Sequence, residues 1–316
     1  MKKIAALLMF VLISLNFLGG CTHEKNDTAE LQEISISYVK LPLNIPSIIE
    51  KHENLFEKEF AKDGIKISFP EITQGSKMTQ ALAAGDLDFC NALGGTSAIL
   101  AAANGVDLKI IGIYSRAPKA FTIMATNPDI KTISDLKGQT VAGPKGTILH
   151  QLLLGALEKV NQRVEDISFV NMGIPESVSA MFAGSVDAAL VAGPDVTKAS
   201  EAGARIITTG EGILDATIVI AVNGDFLKKH PEIVQRYLDV HQESLKFMKE
   251  KPDQTIQLAA RETGLSLDEV KTMLPWYDFN PTINAQDLDE LKKTQDFLVK
   301  NMMLEKKIEL GDIIIE

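Results

Sequence analysis

The run Ala142-Gly143-Pro144-Lys145-Gly146-Thr147 closes a β-branched stretch and opens a periodic helical one that extends to Asn161. A glycine turn, a lysine and a hydroxyl at a helix start are the ingredients of an anion site. The first-turn N–H groups of a helix lack intrahelical partners, and the positive end of its dipole lies there. The same ingredients make a phosphate-transfer loop, but a Walker A loop sets its lysine after the second glycine and a hydroxyl next. Here Lys145 precedes Gly146, so the spacing favours holding an anion over transferring a phosphoryl group. Gly146 would admit a ligand to the backbone, and Thr147 would add a donor; a plain N-cap is the alternative reading. Gly94-Gly95-Thr96-Ser97 repeats the pattern between an apolar strand and a short helix, where it either caps the helix or binds an oxyanion. Gly75-Ser76 opens another short helix and is a weaker candidate.

Other chemistry finds few residues. His150 lies one turn into the helix after Thr147 and reads as a packed or exposed histidine more than as a base. His23, His52, His230 and His241 are scattered. No H-x-x-x-H pair, paired cysteines or G-x-S-x-G occurs, so neither a metal, a cofactor nor a serine triad is expected. Asp195 and Asp215 read either as solvated loop acids or as cleft groups that repel a dianion and accept an ammonium. Arg116, Lys119 and Lys145 could balance charge at a cleft. Trp276-Tyr277 reads as helix-end packing.

The chain has 316 residues, 45% hydrophobic and 23% charged, which suits a globular protein large enough for two domains. Its formal charge of −10 disfavours nucleic acid or an anionic membrane surface as partner. Lys2-Lys3 followed by the apolar run from Ile4 to Leu18 reads as a signal peptide, too short and interrupted to span a bilayer. Small residues before a cysteine, Leu18-Gly19-Gly20-Cys21, resemble a bacterial lipobox. That implies a signal peptide over 1–20, lipidation of Cys21, and a tether over 21–33. Cys90 would remain as a lone buried thiol.

From Ile34 strand and helix patterns alternate, which predicts an α/β protein with largely parallel sheets. One helix is expected across Ile45 to Lys62, and strands over 34–38, 65–72, 108–114, 121–125, 139–144, 166–172, 205–210 and 217–222. From Asp225 the chain is almost wholly helical. The segments ALAAGDLDFCNALG (81–94) and AMFAGSVDAALVAG (180–193) echo one another, suggesting two lobes of one plan that offer glycine-rich strand ends to a shared cleft.

The ordered series GDLDF, GTSAILAAANGVDLKIIG, TISDLKGQTVAGPKGT, GSVDAAL and FLKKHPEIV, over roughly residues 34–274, resembles the substrate-binding proteins of ABC importers, in their aliphatic-sulfonate, taurine and nitrate group. The resemblance implies a two-lobed type II periplasmic-binding-protein fold with two crossover strands, Phe121–Ala125 and Thr217–Val222, and a helical C-terminal region. Lobe 1 would hold residues 34–120 plus 223–316, lobe 2 residues 121–222. It also implies that Lys145-Gly146-Thr147 meets the anionic head of a ligand, though Ile148 stands where relatives are usually polar. Gly94-Gly95-Thr96-Ser97 would grip from the other lobe; Ser76, and Asp215 if it faces the cleft, are further ligand-binding candidates. Leu41-Pro42-Leu43 would wall a hydrophobic tail. Relatives often carry an aromatic and an acid where this chain has Ala192-Gly193-Pro194, which should enlarge the pocket or move its aromatic lid.

The implied function is capture of a small organic anion, sulfonate-like, for delivery to an ABC permease and its ATPase. The protein would be a monomer, anchored by lipid on the extracytoplasmic face and doing no chemistry. A neutral heterocycle such as a thiamin-precursor pyrimidine, an amino acid, and a sensor role stay open. A thiamin-precursor-type enzyme is disfavoured, because its cysteine-rich iron motif is missing.

Overall fold

The computed structural model describes residues 31–315. The expected signal peptide, the Cys21 lipidation site and most of the tether lie outside them. Up to the first crossing the order is β1 (Glu33–Ser35), α1 (Ile45–His52), α2 (Leu55–Phe60), β2 (Lys66–Ser68), α3 (Gly75–Ala84), β3 (Phe89–Gly94), α4 (Gly95–Ala103) and β4 (Leu108–Arg116). Then come β5 (Phe121–Ala125), β6 (Thr140–Gly143), α5 (Ile148–Lys159), β7 (Ser168–Asn171), α6 (Ile174–Phe182), β8 (Ala188–Ala192), α7 (Pro194–Glu201) and β9 (Arg205–Thr209). β10 (Thr217–Asn223) leads into α8 (Gly224–Lys229), α9 (Pro231–Glu250), α10 (Pro252–Thr263), α11 (Leu267–Met273) and α12 (Ala285–Lys300). No helix among the described residues is long and apolar enough to cross a membrane.

Two separate sheets carry the site. One has the order β3-β10-β4, the other β7-β6-β8-β5-β9, and β1 pairs with β2 beside the first. Largely parallel sheets were expected, but the first is antiparallel throughout, β10 opposing β3 and β4, and the second is mixed, with β5 antiparallel to β8 and β9 and β6 parallel to β7 and β8. β5 and β10 are the first strands after the chain passes from one sheet to the other, at residues 117–120 and 210–216. Thr217–Val222, expected with the second lobe, is instead the central strand of the first sheet. Its unbroken apolar run suits a strand buried on both faces.

The single helix expected over Ile45 to Lys62 is broken at Asn54, which adopts a left-handed φ of 51° between α1 and α2. Asparagine tolerates that conformation better than most residues. The internal echo is a true structural repeat. In each copy a helix ends at a left-handed glycine, Gly85 or Gly184, and an aspartate precedes a strand. Asp88 accepts the Ser35 N–H through Oδ2 at 2.8 Å; Asp187 accepts that of Thr140 in the same way, at 2.8 Å. A glycine at or just after the strand end, Gly94 or Gly193, then N-caps the next helix. The two aspartates thereby lock the register of the strands that aim these helix starts.

Separate apolar cores support the two sheets, one around Leu82, Leu93, Ile110 and Leu298, the other around Met124, Met181, Val191 and Val196. Under α9, Phe89 stacks on Tyr237 with ring centroids 4.1 Å apart.

Candidate functional site

A cavity of about 350 Å³ opens where loops from both sheets meet. The first sheet's side supplies Val39, Leu41, Pro42, Asn44, Thr73, Gln74, Gly75, Met78, Ala92, Gly94, Ser97 and Ile218. The second supplies Phe121, Pro144, Thr147, Ile148, Leu149, Gly173, Ile174, Pro175, Glu176, Ala192 and Asp195. Five of these residues are helix N-caps: Asn44 of α1, Gln74 of α3, Gly94 of α4, Thr147 of α5 and Gly173 of α6. Only Thr147 caps with its side chain; α1, α3, α4 and α6 begin without a side-chain cap. At α1 the first turn is already satisfied, with the Ile45 N–H on Leu43 O and the Ser47 N–H on the Tyr114 hydroxyl, so it is the starts of α3, α4 and α6 that leave N–H groups for acceptors at the cavity, where their positive dipole ends add. Among the described residues no lysine, arginine or histidine lines it.

Of the sequence candidates, Leu41, Pro42, Gly75, Gly94, Ser97, Thr147, Ala192 and Asp195 reach the cavity, and Leu43, Ser76, Gly95, Thr96, Lys145, Gly146, Gly193 and Asp215 do not. Leu43 is fully buried in the core. Ser76 and Lys145 are exposed away from the cavity. Gly95 and Thr96 face a second, water-sized space behind it, where the Thr96 hydroxyl donates to Gln151 Oε1 at 2.6 Å. Gly146 lies one residue outside: its carbonyl accepts from Ser97 Oγ at 3.3 Å, and its N–H donates to His150 Nδ1 at 3.4 Å. Asp215 accepts from Gln286 Nε2 at 3.1 Å, off the cavity.

The hydroxyl donor expected of Thr147 is already committed, since Oγ1 donates to Pro144 O at 2.8 Å and accepts from the His150 N–H at 3.5 Å. Thr147 thus shapes the turn and leaves backbone N–H groups to meet a ligand. The cations named as charge balance are committed elsewhere or exposed: Arg116 pairs with Asp287 and Asp278, and Lys119 with Glu211.

The gap expected at Ala192-Gly193 is filled. A Cβ on Gly193 would lie 2.1 Å from Pro42 Cβ, so the Pro42 turn is packed directly against the start of α7. An aromatic does line the cavity, but as Phe121. Sequence reasoning also missed Thr73-Gln74 and Gly173-Ile174-Pro175-Glu176. A proline and an acid just inside a helix start were the available signal for the latter. Ala92 has a left-handed φ of 59° within β3, where the pairing with β10 slips register. Such strain in a residue without a glycine's freedom marks a place where backbone is forced toward a ligand space.

His150 is buried behind Thr147, tilted against Phe169. Burial, helped by the Lys145 charge, pushes its pKa from 6.5 down to about 4. The unfolded chain then binds a proton that the folded one refuses. Stability present above pH 6.5 falls as pH drops toward 4, by about 3 kcal/mol in all. Urea unfolding across that window should show this slope, and a His150→Gln variant should lose it.

The NMT1/THI5-like family pattern matches residues 57–255, more than half of the chain. This chain belongs to the NMT1/THI5-like family. It is 30% identical, over 97% of its length and 93% of the relative's, to a Bacillus subtilis protein named "Putative aliphatic sulfonates-binding protein". Among solved structures, the periplasmic aliphatic sulphonate binding protein SsuA from Escherichia coli superimposes with a TM-score of 0.77 at 27% identity, covering 91% of this chain and 92% of that one. The alkanesulfonate-binding SsuA from Xanthomonas axonopodis pv. citri, bound to MOPS, gives 0.83 at 24% identity, covering 91% and 99%. The family member described here therefore has the two-lobed periplasmic-binding-protein fold, with the cavity between its sheets.

Proposed function

We propose that this protein is the extracytoplasmic solute-binding component of an ABC importer and that its ligand is a small organic sulfonate. The observation that carries this reading is the meeting of uncapped helix starts from both sheets at one cavity with no side-chain cation among the described residues. A sulfonate spreads one negative charge over three oxygens, each an acceptor for backbone N–H groups. Val39, Leu41, Met78, Ile148 and Ile218 would take the aliphatic part. The names of the sulfonate-binding relatives agree with this chemistry.

The lobes would be residues 34–116 plus 217–316 and residues 121–209, a division that follows the sheets. Closure would be favoured because a ligand gripped by helix starts of both lobes binds the closed form better than the open one. The protein would act as a monomer, held to the membrane by the Cys21 lipid, and deliver its ligand unchanged to a permease and its ATPase.

A thermal-shift panel tests the ligand. Butanesulfonate at about a hundred times its Kd should raise the melting temperature by about 5 °C or more. Butyrate and a neutral pyrimidine should do much less. A response to the pyrimidine alone would overturn the sulfonate reading. Thr147→Val, which cuts the Thr147–Pro144 bond, should weaken butanesulfonate binding about tenfold.

A further inference from the structure

Behind the cavity wall lies a buried polar cluster that the site described above does not use. Glu50 on α1 and His241 on α9 are fully buried, with His241 Nδ1 2.7 Å from Glu50 Oε1. Asn91 of β3, also buried, directs both amide protons at α1: Nδ2 donates to Glu50 Oε2 at 2.9 Å and to Ser47 Oγ at 3.0 Å. Its backbone is held as well, the N–H donating to Ser37 Oγ at 2.9 Å and the carbonyl accepting from that hydroxyl at 3.0 Å. Ser47 Oγ in turn lies 2.9 Å from the Tyr114 hydroxyl of β4. Apolar residues of similar volume often stabilise a core as well as a buried charged pair does. Stability alone therefore gives no reason for this cluster, and its neighbour in the chain does.

Asn91 precedes Ala92, the cavity residue with the left-handed φ of 59°. Val219 pairs with Leu93 and Ala221 with Cys90, so Asn91 and Ala92 together oppose the single residue Ile220. That is a β-bulge, a device that re-aims the side chains beside it. In an unbroken strand, residues three apart face opposite sides, yet Cys90 and Leu93 both lie in the core around Leu82 and Leu298. The extra residue allows this and leaves Ala92 and Gly94, the N-cap of α4, on the cavity. Alanine gives a left-handed backbone no support of its own, so neighbouring contacts must hold it. We infer that Asn91 and Glu50 are positioning residues for capture: their buried bond locks the bulge that turns Ala92 and the start of α4 toward the ligand. Neither residue lines the cavity. This rests on the capture reading above and extends it to residues behind the site.

Calorimetric titration of the purified full chain with butanesulfonate, beside a melt without ligand, decides it. Without the clamp the bulge competes with an unbroken strand, and affinity falls with the fraction of chains that keep it. Asn91→Ala and Glu50→Ala should each weaken binding about tenfold or more. Glu50→Gln, which keeps an oxygen for Asn91 Nδ2, should restore most of that affinity. The melting temperature records any structural cost separately, since Kd is read on folded protein. If Asn91→Ala does not fold, Ser47→Ala, which removes one of the two acceptors of Asn91 Nδ2, should weaken binding about threefold. Wild-type affinity in folded Asn91→Ala, or in Ser47→Ala in its place, overturns the positioning role and leaves the sulfonate reading standing. Equal losses in Glu50→Ala and Glu50→Gln overturn the assignment of the effect to the Asn91 bond. If the unaltered chain binds no butanesulfonate, the sulfonate reading falls and this inference with it.

Discussion

Gly193→Ala should reduce sulfonate affinity by about a hundredfold or more. The glycine N-caps α7 with φ 59° and ψ −130°, a region that side-chain-bearing residues almost never occupy. An added Cβ would also stand 2.5 Å from Pro42 Cα and 2.7 Å from Pro42 O, both backbone atoms that cannot swing aside. Strain alone costs of order 1–3 kcal/mol, and the collision adds to it. The collision exists only while the Pro42 turn rests on the start of α7, so parting the two segments relieves it. Binding, which needs them together, should therefore suffer more than stability. Calorimetry with butanesulfonate beside a thermal melt separates the two effects. Unchanged affinity would mean that the Pro42–Gly193 contact plays no part in capture.

Arg116→Ala should lower stability by about 3–5 kcal/mol, the usual cost of stranding one member of a buried ion pair. Arg116 ends β4 and is anchored to the segment that leads into α12. Its Nε and Nη2 each donate to a carboxylate oxygen of Asp287 at 2.5 Å, and further bonds reach Asp278 Oδ2, Asn280 O and Thr282 O. The Asp287 side chain is only 2% exposed and also accepts the Asn284 N–H in the capping box of α12. Losing the guanidinium leaves a buried carboxylate facing carbonyls. The melting temperature should fall by about 10 °C. Arg116→Lys should fall between the two, because an ammonium keeps the charge but not the planar fork. If Arg116 held ligand instead, the alanine variant would lose binding and keep its stability.

Arg116 also shows where sequence reading stops. Its type suggested a counter-charge at the cleft, but its partner Asp287 lies 171 positions away and nothing local announces it. Local signals were legible. The glycine-to-helix junctions at Gly94 and Thr147 were readable because a helix start needs a cap, and the repeat of Asp88 and Asp187 because each precedes a strand at one spacing. The break at Asn54 was missed, since asparagine only permits a left-handed turn and does not require one. Leu41 and Leu43 look alike in sequence, yet one lines the cavity and the other fills the core. Which side chain of a turn faces ligand depends on how the two sheets meet. Gly193 looked like open space for the same reason, because Pro42 comes to it from a segment 151 positions earlier. Thr147 was placed at the correct helix start, but its hydroxyl's commitment to Pro144 depends on a turn geometry that residue types do not encode.

Capture of a sulfonate that leaves unaltered is the function proposed for this protein. Native mass spectrometry of the purified chain with butanesulfonate, followed by denaturation and weighing of the released ligand, tests both halves at once. The expected result is one ligand per chain, released at the mass that was added. No adduct at ligand concentrations far above micromolar, or a released mass that differs from the ligand's, would contradict it.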